Sequence, residues 1–316
     1  MEEQPALLNS SSPQATITPI RIPLIERYGI SSVLFGFLIL IVVFILYQFI
    51  GGVITYIFFG LRPTSDTIDG FRIVTGLGQV MFLLIPTLLL VRFATLTPAQ
   101  YLRLTAPDPR TLIPPLVGIF SLQQMLQIYL YFQEKIPLPE TVRNMVDKFK
   151  EMIEEVYRLL VSSHSIPELI MVIFVIAFIP AIAEELLFRG LVQRSFEKGL
   201  TATKGMILTG IIFGAYHLNP FTFIPLVILG IYLGFLTLRS NSIWVSVSAH
   251  FYNNSFACIA AYLQLDEDFI VTGKSSETSI EILLLTFVVF GILFYFSTYY
   301  FLRVTAPPQP ATNLQS

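Results

Sequence analysis

The chain has 316 residues, of which 54% are hydrophobic and only 13% are charged, whereas soluble domains usually carry about 25% charged residues. This composition argues against a water-soluble enzyme and a disordered protein. The 19 Lys and Arg are balanced by 21 Asp and Glu, which leaves no basic surface for nucleic acid. The single cysteine, Cys258, excludes an internal disulfide and a cysteine-based zinc site. What remains is a polytopic membrane protein.

Long uncharged stretches predict the membrane segments. A helix needs about 20 apolar residues to cross the hydrocarbon core, and these stretches are apolar on every side rather than alternating as barrel strands do. The dipeptide Asn219-Pro220 divides one overlong stretch into two. The sequence therefore predicts an all-α, polytopic bundle of about eight transmembrane segments, at 30–58, 72–94, 111–132, 166–192, 205–218, 221–239, 242–264 and 279–303.

The rest of the chain predicts one membrane-embedded domain, 29–304, with loose ends. Residues 1–28 are polar and rich in Ser and Pro and predict a disordered tail, and 305–316 predict a flexible tail. Within 133–165, apolar residues recur at helical spacing opposite a charged face. They predict an amphipathic connecting helix, lying on the membrane or on the bundle, or a solvated linker helix. A slight excess of Lys and Arg on the side of the termini favours cytoplasmic termini, in the inner membrane of a bacterium.

Polar side chains inside the spans indicate a functional site, because burying them in a membrane is costly. The stretches AIAEELLFRG, FGAYH and AHFYNNSF carry such groups: Glu184, Glu185, Arg189, His217, His250, Asn253 and Asn254. At a rise of about 1.5 Å per residue, four of them lie about 13 to 20 Å from the face that carries the 194–204 connection: Glu184, His217, His250 and Asn254. This shared depth predicts a single cavity, and we expect it to open toward that face.

Helical spacing separates a supporting pair from the working groups. Glu185 and Arg189 are four residues apart and predict an ion pair, while Glu184 points about 100° away and has no partner in its own helix. A buried carboxylate without a cation is a good proton acceptor, because desolvation disfavours its charged form. A neighbouring histidine can hold the same water, and an Asn amide can donate to an oxyanion. The set predicts amide hydrolysis inside the membrane, with Asn253 as neutral filler.

Other kinds of chemistry find little support in the sequence. The chain contains no H-E-x-x-H, no G-x-S-x-G, no P-loop and no paired intramembrane aspartates. Zinc remains possible, and Glu184, His217 and His250 are the ligand set if the protein is metal-dependent, although their spacing does not demand a metal. The alternative function is a non-catalytic membrane immunity protein, or a transporter that uses the same polar layer for binding or conduction.

Three motifs, in this order and at this spacing, resemble those of the CPBP intramembrane proteases: Glu184-Glu185-x-x-x-Arg189, Phe213-x-x-x-His217 and His250-x-x-x-Asn254. The family includes type II CAAX prenyl endopeptidases and bacterial bacteriocin-processing or immunity proteins. The resemblance covers about 168–256, the predicted motif core. It implies an intramembrane endopeptidase, glutamate-dependent and sometimes described as metalloprotease-like.

The resemblance also implies a role for each motif residue. Glu184 would activate the water, and His217 would bind or orient it. His250 and Asn254 would stabilise the oxyanion, and three residues would support the site: Glu185, Arg189 and Phe213. The implied partners are membrane lipid and a membrane-anchored or lipidated peptide or protein substrate, and no nucleic acid. Nothing in the sequence recognises an isoprenoid.

Overall fold

The computed structural model describes residues 22–60, 63–265 and 279–305, and these ranges form a bundle of helices joined by short connections. In chain order the helices are α1 Leu24–Arg27, α2 Ser32–Phe59, α3 Ile68–Ala94, α4 Pro98–Tyr101, α5 Ile113–Glu134, α6 Glu140–Val161, α7 Ile166–Gly199, α8 Ala202–Tyr216, α9 Phe223–Ser240, α10 Ile243–Tyr262 and α11 Ile280–Val304. The described part of the chain contains no strand, so the predicted all-α class is confirmed.

Each predicted membrane segment is helical, and the helix bounds agree with the prediction to within a few residues, except that α7 continues to Gly199. Six helices of the described ranges are long and apolar enough to cross a membrane: α2, α3, α5, α7, α9 and α11. The other two predicted spans, α8 and α10, are not among them. With 15 residues, α8 is about 22 Å long, which is less than the roughly 30 Å hydrocarbon core. In α10, His250 and two asparagines interrupt the apolar run.

The outermost helices present apolar side chains to the surroundings of the bundle. On α2, Ile57 is 71% exposed, and on α11, Leu285 is 64% exposed. In water such surfaces would be a liability, whereas lipid solvates them. The protein is therefore an integral membrane protein whose polar groups face inward.

Glycines bring α8 and α9 into backbone contact. A Cβ built on Gly210 would lie 2.7 Å from the backbone N of Ile231, and one on Gly214 would lie 3.0 Å from the backbone N of Val227. A Cβ on Gly230 would lie 2.9 Å from the backbone O of Gly210. The small-xxx-small pairs of the sequence thus set the distance between these two helices.

Substituting Gly210 with Ala should lower the free energy of unfolding by about 1–3 kcal/mol, because the backbone of α9 must move to admit the methyl group. The matched control is Gly52→Ala in α2, where the added Cβ meets nothing within 4 Å. Thermal unfolding in detergent measures both variants. Equal midpoints for the two would show that the close approach of α8 and α9 contributes nothing.

The predicted amphipathic helix is present as α6, and the structure places it on the bundle. The buried guanidinium of Arg72 in α3 holds the C-terminal end of α6. It donates to the carbonyl O of Leu159 at 2.6 Å and to that of Leu160 at 3.0 Å. Arg72 also pairs with Asp69 and with Glu168 at the start of α7. This anchor fixes one end of α6 against α3 and α7.

The predicted tails fall largely outside the described residues, the N-terminal one up to residue 21 and the C-terminal one from residue 306. The described residues include a helix before the predicted boundary at residue 29. Leu24–Arg27 form α1, and Ile25 is 4% exposed within the apolar core. Burial of this side chain explains why Leu24–Arg27 is helical although the sequence before it is polar.

Candidate active site

A cavity of about 390 Å³ lies among α5, α6, α7, α8, α9 and α10. All four predicted working residues line it: Glu184, His217, His250 and Asn254. They come from three parts of the chain, since α7 carries the glutamate, the first histidine directly follows α8 and α10 carries the other two. The structure thus brings together side chains that are up to 70 residues apart in the chain.

Glu184 and Glu185 occupy different environments although they are neighbours. Glu184 lines the cavity, and its Oε2 is buried without a hydrogen-bond partner. Glu185 is 0% exposed, and its Oε1 accepts from Arg189 Nη1 at 2.6 Å. One carboxylate is therefore held in an ion pair inside the helix packing, while the other faces the cavity.

The two glutamates lie between two π-helical segments of α7, Ile173–Phe178 and Leu186–Val192. A π segment widens the helix and turns the following side chains relative to a regular α-helix, and such segments are frequent at functional sites. Pro180, which has no backbone N–H, lies between the first segment and the glutamates.

Arg189 is fully buried outside the cavity and ties α7 to α8 and α9. Besides its ion pair with Glu185, it donates from Nη2 to the carbonyl O of Gly230 at 3.0 Å. Its guanidinium carbon lies 4.4 Å from the ring centroid of Phe213, a favourable cation–π arrangement. The residue positions three helices and does not line the cavity.

Each cavity histidine uses Nδ1 for a contact within the protein. His217 Nδ1 lies 2.8 Å from the carbonyl O of Phe213, and His250 Nδ1 lies 3.0 Å from Glu185 Oε1. A carbonyl and an ionised carboxylate can only accept, so Nδ1 donates in both rings, and Nε2 remains available. The Phe213 ring packs against both, with centroid distances of 4.7 Å to His217 and 6.2 Å to His250.

Asn254 contacts the backbone of α7 close to Pro180. Pro180 cannot donate to the carbonyl O of Ile176, its α-helical acceptor four residues earlier. Asn254 Nδ2 of α10 lies 3.4 Å from that oxygen and donates to it. Because a carboxamide has two N–H groups, this contact anchors Asn254 and leaves its second donor for the cavity.

Some cavity residues were given no role in the sequence-based prediction or were not part of it. Asn253, interpreted from the sequence as filler, lines the cavity and donates to Asn254 Oδ1 at 3.3 Å. Gln123 and Gln127 of α5 also line it. Both are uncharged, so a search for charges passes over them. Their i, i+4 spacing within an apolar span is the sequence signal that could have identified them.

The predicted direction of opening is wrong. The cavity is bordered by the 217–222 connection and by the C-terminal part of α5, and no residue of the 194–204 connection lines it. The end of the bundle that carries the 217–222 connection is covered by α6, which contributes Lys150, Glu154 and Tyr157 to the cavity. Sequence depth alone could not distinguish the two ends, because the polar layer lies near the middle of its helices.

Metal binding requires several donor side chains that converge on one point. In the residues that the structure describes, no three His, Cys, Asp or Glu side chains are arranged to hold a metal ion. Glu184, His217 and His250 share the cavity but do not fit a three-ligand zinc site in this geometry.

The match to known proteins falls on the part of the chain that builds most of this site. Residues 166–256 match the family described as type II CAAX prenyl endopeptidase Rce1-like. The chain is similar to these endopeptidases. The resemblance predicted from the three motifs is thereby confirmed. The Rce1-like segment contains all seven predicted motif residues.

The Rce1-like segment starts with α7 and ends within α10, so α2, α3, α5, α6 and α11 lie outside it. No curated protein and no solved structure matches the chain. The family match supports a CAAX-type intramembrane protease as the general kind of function. It says nothing of the cavity walls built by α5 and α6.

Proposed function

We propose that this protein is an intramembrane endopeptidase, in which Glu184 activates water to hydrolyse a peptide bond of a membrane-associated substrate. The observation that carries the proposal is the contrast between the two glutamates. Glu185 Oε1 is held by Arg189 and His250 and the residue does not line the cavity, whereas Glu184 lines the cavity. A carboxylate kept apart from its structural neighbour is what a general base requires.

In the first step, Glu184 takes a proton from a water that His217 Nε2 helps to hold. The water oxygen attacks the carbonyl carbon of the substrate, and the carbonyl oxygen becomes an oxyanion. Asn254 donates to this oxygen through its second amide N–H. His250 can donate to it from Nε2 when the ring carries both protons, and Glu185, 3.0 Å from Nδ1, is then its counter-ion.

In the second step, the tetrahedral intermediate collapses and the bond between carbon and nitrogen breaks. Glu184 returns its proton to the leaving nitrogen, which departs as an amine. The acyl part leaves as a carboxylic acid and ionises. Glu184 ends the cycle as a carboxylate, so no other reactant besides water is consumed.

The substrate class follows from the location of the cavity. A site inside a helical bundle meets segments that are inserted in or anchored to the bilayer, so the substrate is a membrane-anchored or lipidated peptide or protein. The family that the chain resembles is named for CAAX prenyl substrates, which makes prenylated peptides one arm of the test. We place the protein in a bacterial inner membrane with cytoplasmic termini.

The test is proteolysis of a library of membrane-anchored peptides, with and without prenyl groups, by purified protein in lipid vesicles. Cleavage at defined bonds, detected by mass spectrometry, is the expected result. Vesicles without the protein control for spontaneous hydrolysis and contaminating proteases. Absence of cleavage across the library would reject the proposal and favour a binding or transport role for the polar layer.

Removal of divalent metal ions should leave most of the hydrolytic activity, because the described side chains hold no three-ligand metal group. The measurement compares cleavage rates before and after dialysis against a chelator, with elemental analysis of the active sample. Loss of activity on chelation, recovery on adding zinc and close to one zinc per chain would together contradict this expectation.

A further inference from the structure

One face of α5 forms a mixed polar and apolar wall of the cavity. Its lining residues recur at helical spacing and include Ile119, Gln123, Leu126, Gln127 and Leu130. The two glutamines are one turn apart, on the same face. They stand among leucines and isoleucine in an apolar helix.

The glutamine amides are shielded from solvent. Gln127 is 4% exposed, and Gln123 Oε1 is buried without a hydrogen-bond partner. A buried acceptor that lacks a donor is costly. A carboxamide offers both a donor and an acceptor, as a peptide group does, so a peptide backbone in the cavity would satisfy it.

The position of the glutamines matches the catalytic layer. The starts of α5 and α10 share one face of the bundle, because Ser242 Oγ donates to the carbonyl O of Thr105 at 2.6 Å. From that face Gln123 is about 15 Å deep and Asn254 about 16 Å, while Gln127 is about 21 Å deep. The pair therefore runs from the level of the site toward the end that α6 covers.

The spacing of the two glutamines along α5 matches the spacing of alternate residues in an extended peptide. Residues i and i+4 of a helix are about 6 Å apart along its axis, and alternate residues of an extended chain are about 6.6 to 6.8 Å apart. Two glutamines spaced in this way can contact peptide groups of residues i and i+2 on one edge of an extended segment. Leu226, Leu229 and Leu233 of α9 line the same cavity and supply apolar surface for side chains.

We propose that Gln123 and Gln127 form a binding site for the backbone of an extended peptide, which they hold beside Glu184. This inference rests on the proposed protease function and adds a subsite to it. The site reads main-chain amides, so it positions substrates without selecting their sequence. It lies in α5, outside the Rce1-like segment.

The test measures how much peptide is photo-crosslinked to the protein instead of how fast the peptide is cleaved. Peptides of the membrane-anchored library carry a benzophenone and are photo-crosslinked to the Glu184→Gln protein in vesicles. Gln123→Leu and Gln127→Leu are then introduced into that background. The matched control is Gln124→Leu, one residue along the same helix and not among the cavity-lining residues. We expect each cavity variant to lower the capture yield about three- to tenfold, the usual net effect of one hydrogen bond, and the control to leave it unchanged.

N-methylation of the peptide supplies a second measurement that does not depend on how well the variants fold. Removing the N–H groups of alternate residues should lower capture by the protein with both glutamines, and should cost less once Gln123 is Leu. Equal capture by all three variants, an N-methyl penalty that Gln123→Leu does not reduce, or no capture at all would overturn the inference. Capture without any cleavage by the wild-type protein would reject the protease and leave the peptide site standing. Cleavage of the peptides by the wild-type protein, together with equal capture yields for all variants, would support the protease and reject the peptide site.

Discussion

Replacing Glu184 with Gln should lower the rate of peptide hydrolysis by about 100-fold or more, because the substitution keeps the size of the side chain and removes the proton acceptor. The cavity should keep its shape, since among the described residues no ion pair of Glu184 would be broken by the change. The initial rate on the best peptide of the library, per folded protein, is the measurement. The variant's unfolding midpoint should stay close to that of the wild type.

The matched control is Glu185→Gln, one residue further along the same helix. Its carboxylate is buried between Arg189 and His250, so the loss should appear mainly in stability and yield. Because His250 is oriented by this carboxylate, a moderate loss of activity is expected as well. If Glu185→Gln abolishes hydrolysis and Glu184→Gln is well tolerated, the two glutamates have the opposite roles.

Replacing Arg189 with Met should destabilise the protein by about 3–5 kcal/mol, the usual cost of removing one partner of a buried ion pair. Both side chains of the pair are 0% exposed, with 2.6 Å between Arg189 Nη1 and Glu185 Oε1. The variant leaves a carboxylate buried without its cation and removes the donor to the carbonyl O of Gly230. Unfolding in detergent, followed by circular dichroism, measures the change.

The comparison variant is Arg110→Gln, which breaks an ion pair with Asp108 at the surface of the bundle. Water and counter-ions solvate the remaining charge there, so no measurable change is expected. Equal stability of Arg189→Met and the wild type would mean that the Glu185–Arg189 pair does not hold α7 in place. The double variant Arg189→Met with Glu185→Gln should recover part of the loss, because no buried charge then stays unpaired.

Local composition was sufficient to predict the membrane helices. Runs such as LFGFLILIVVFIL can only be helical in lipid, since each backbone group must find its partner within the segment. The break at Asn219-Pro220 also follows from local chemistry, and α8 ends at Tyr216 just before it. Helix ends were less accurate, as at Gly199, because Arg194 and Glu197 form an ion pair that a hydropathy pattern does not show.

The sequence also identified Glu184, His217, His250 and Asn254 as one group, because ionisable and amide side chains in spans must face the interior together. Their shared depth is a property of helix rise, which a sequence encodes directly. Placing Glu185 with Arg189 followed from their i, i+4 spacing. These inferences succeeded because each depends on one helix at a time.

Only the tertiary structure decided which end of the bundle leads to the cavity, which ring nitrogens are free and which walls face Glu184. Two contacts join α10 to α7, that of His250 with Glu185 and that of Asn254 with the carbonyl O of Ile176. The rotation of α5 that turns Gln123 toward the cavity is likewise invisible in its own sequence. Each of these features depends on how separate helices pack against one another, whereas periodicity reports only on the single helix that carries it.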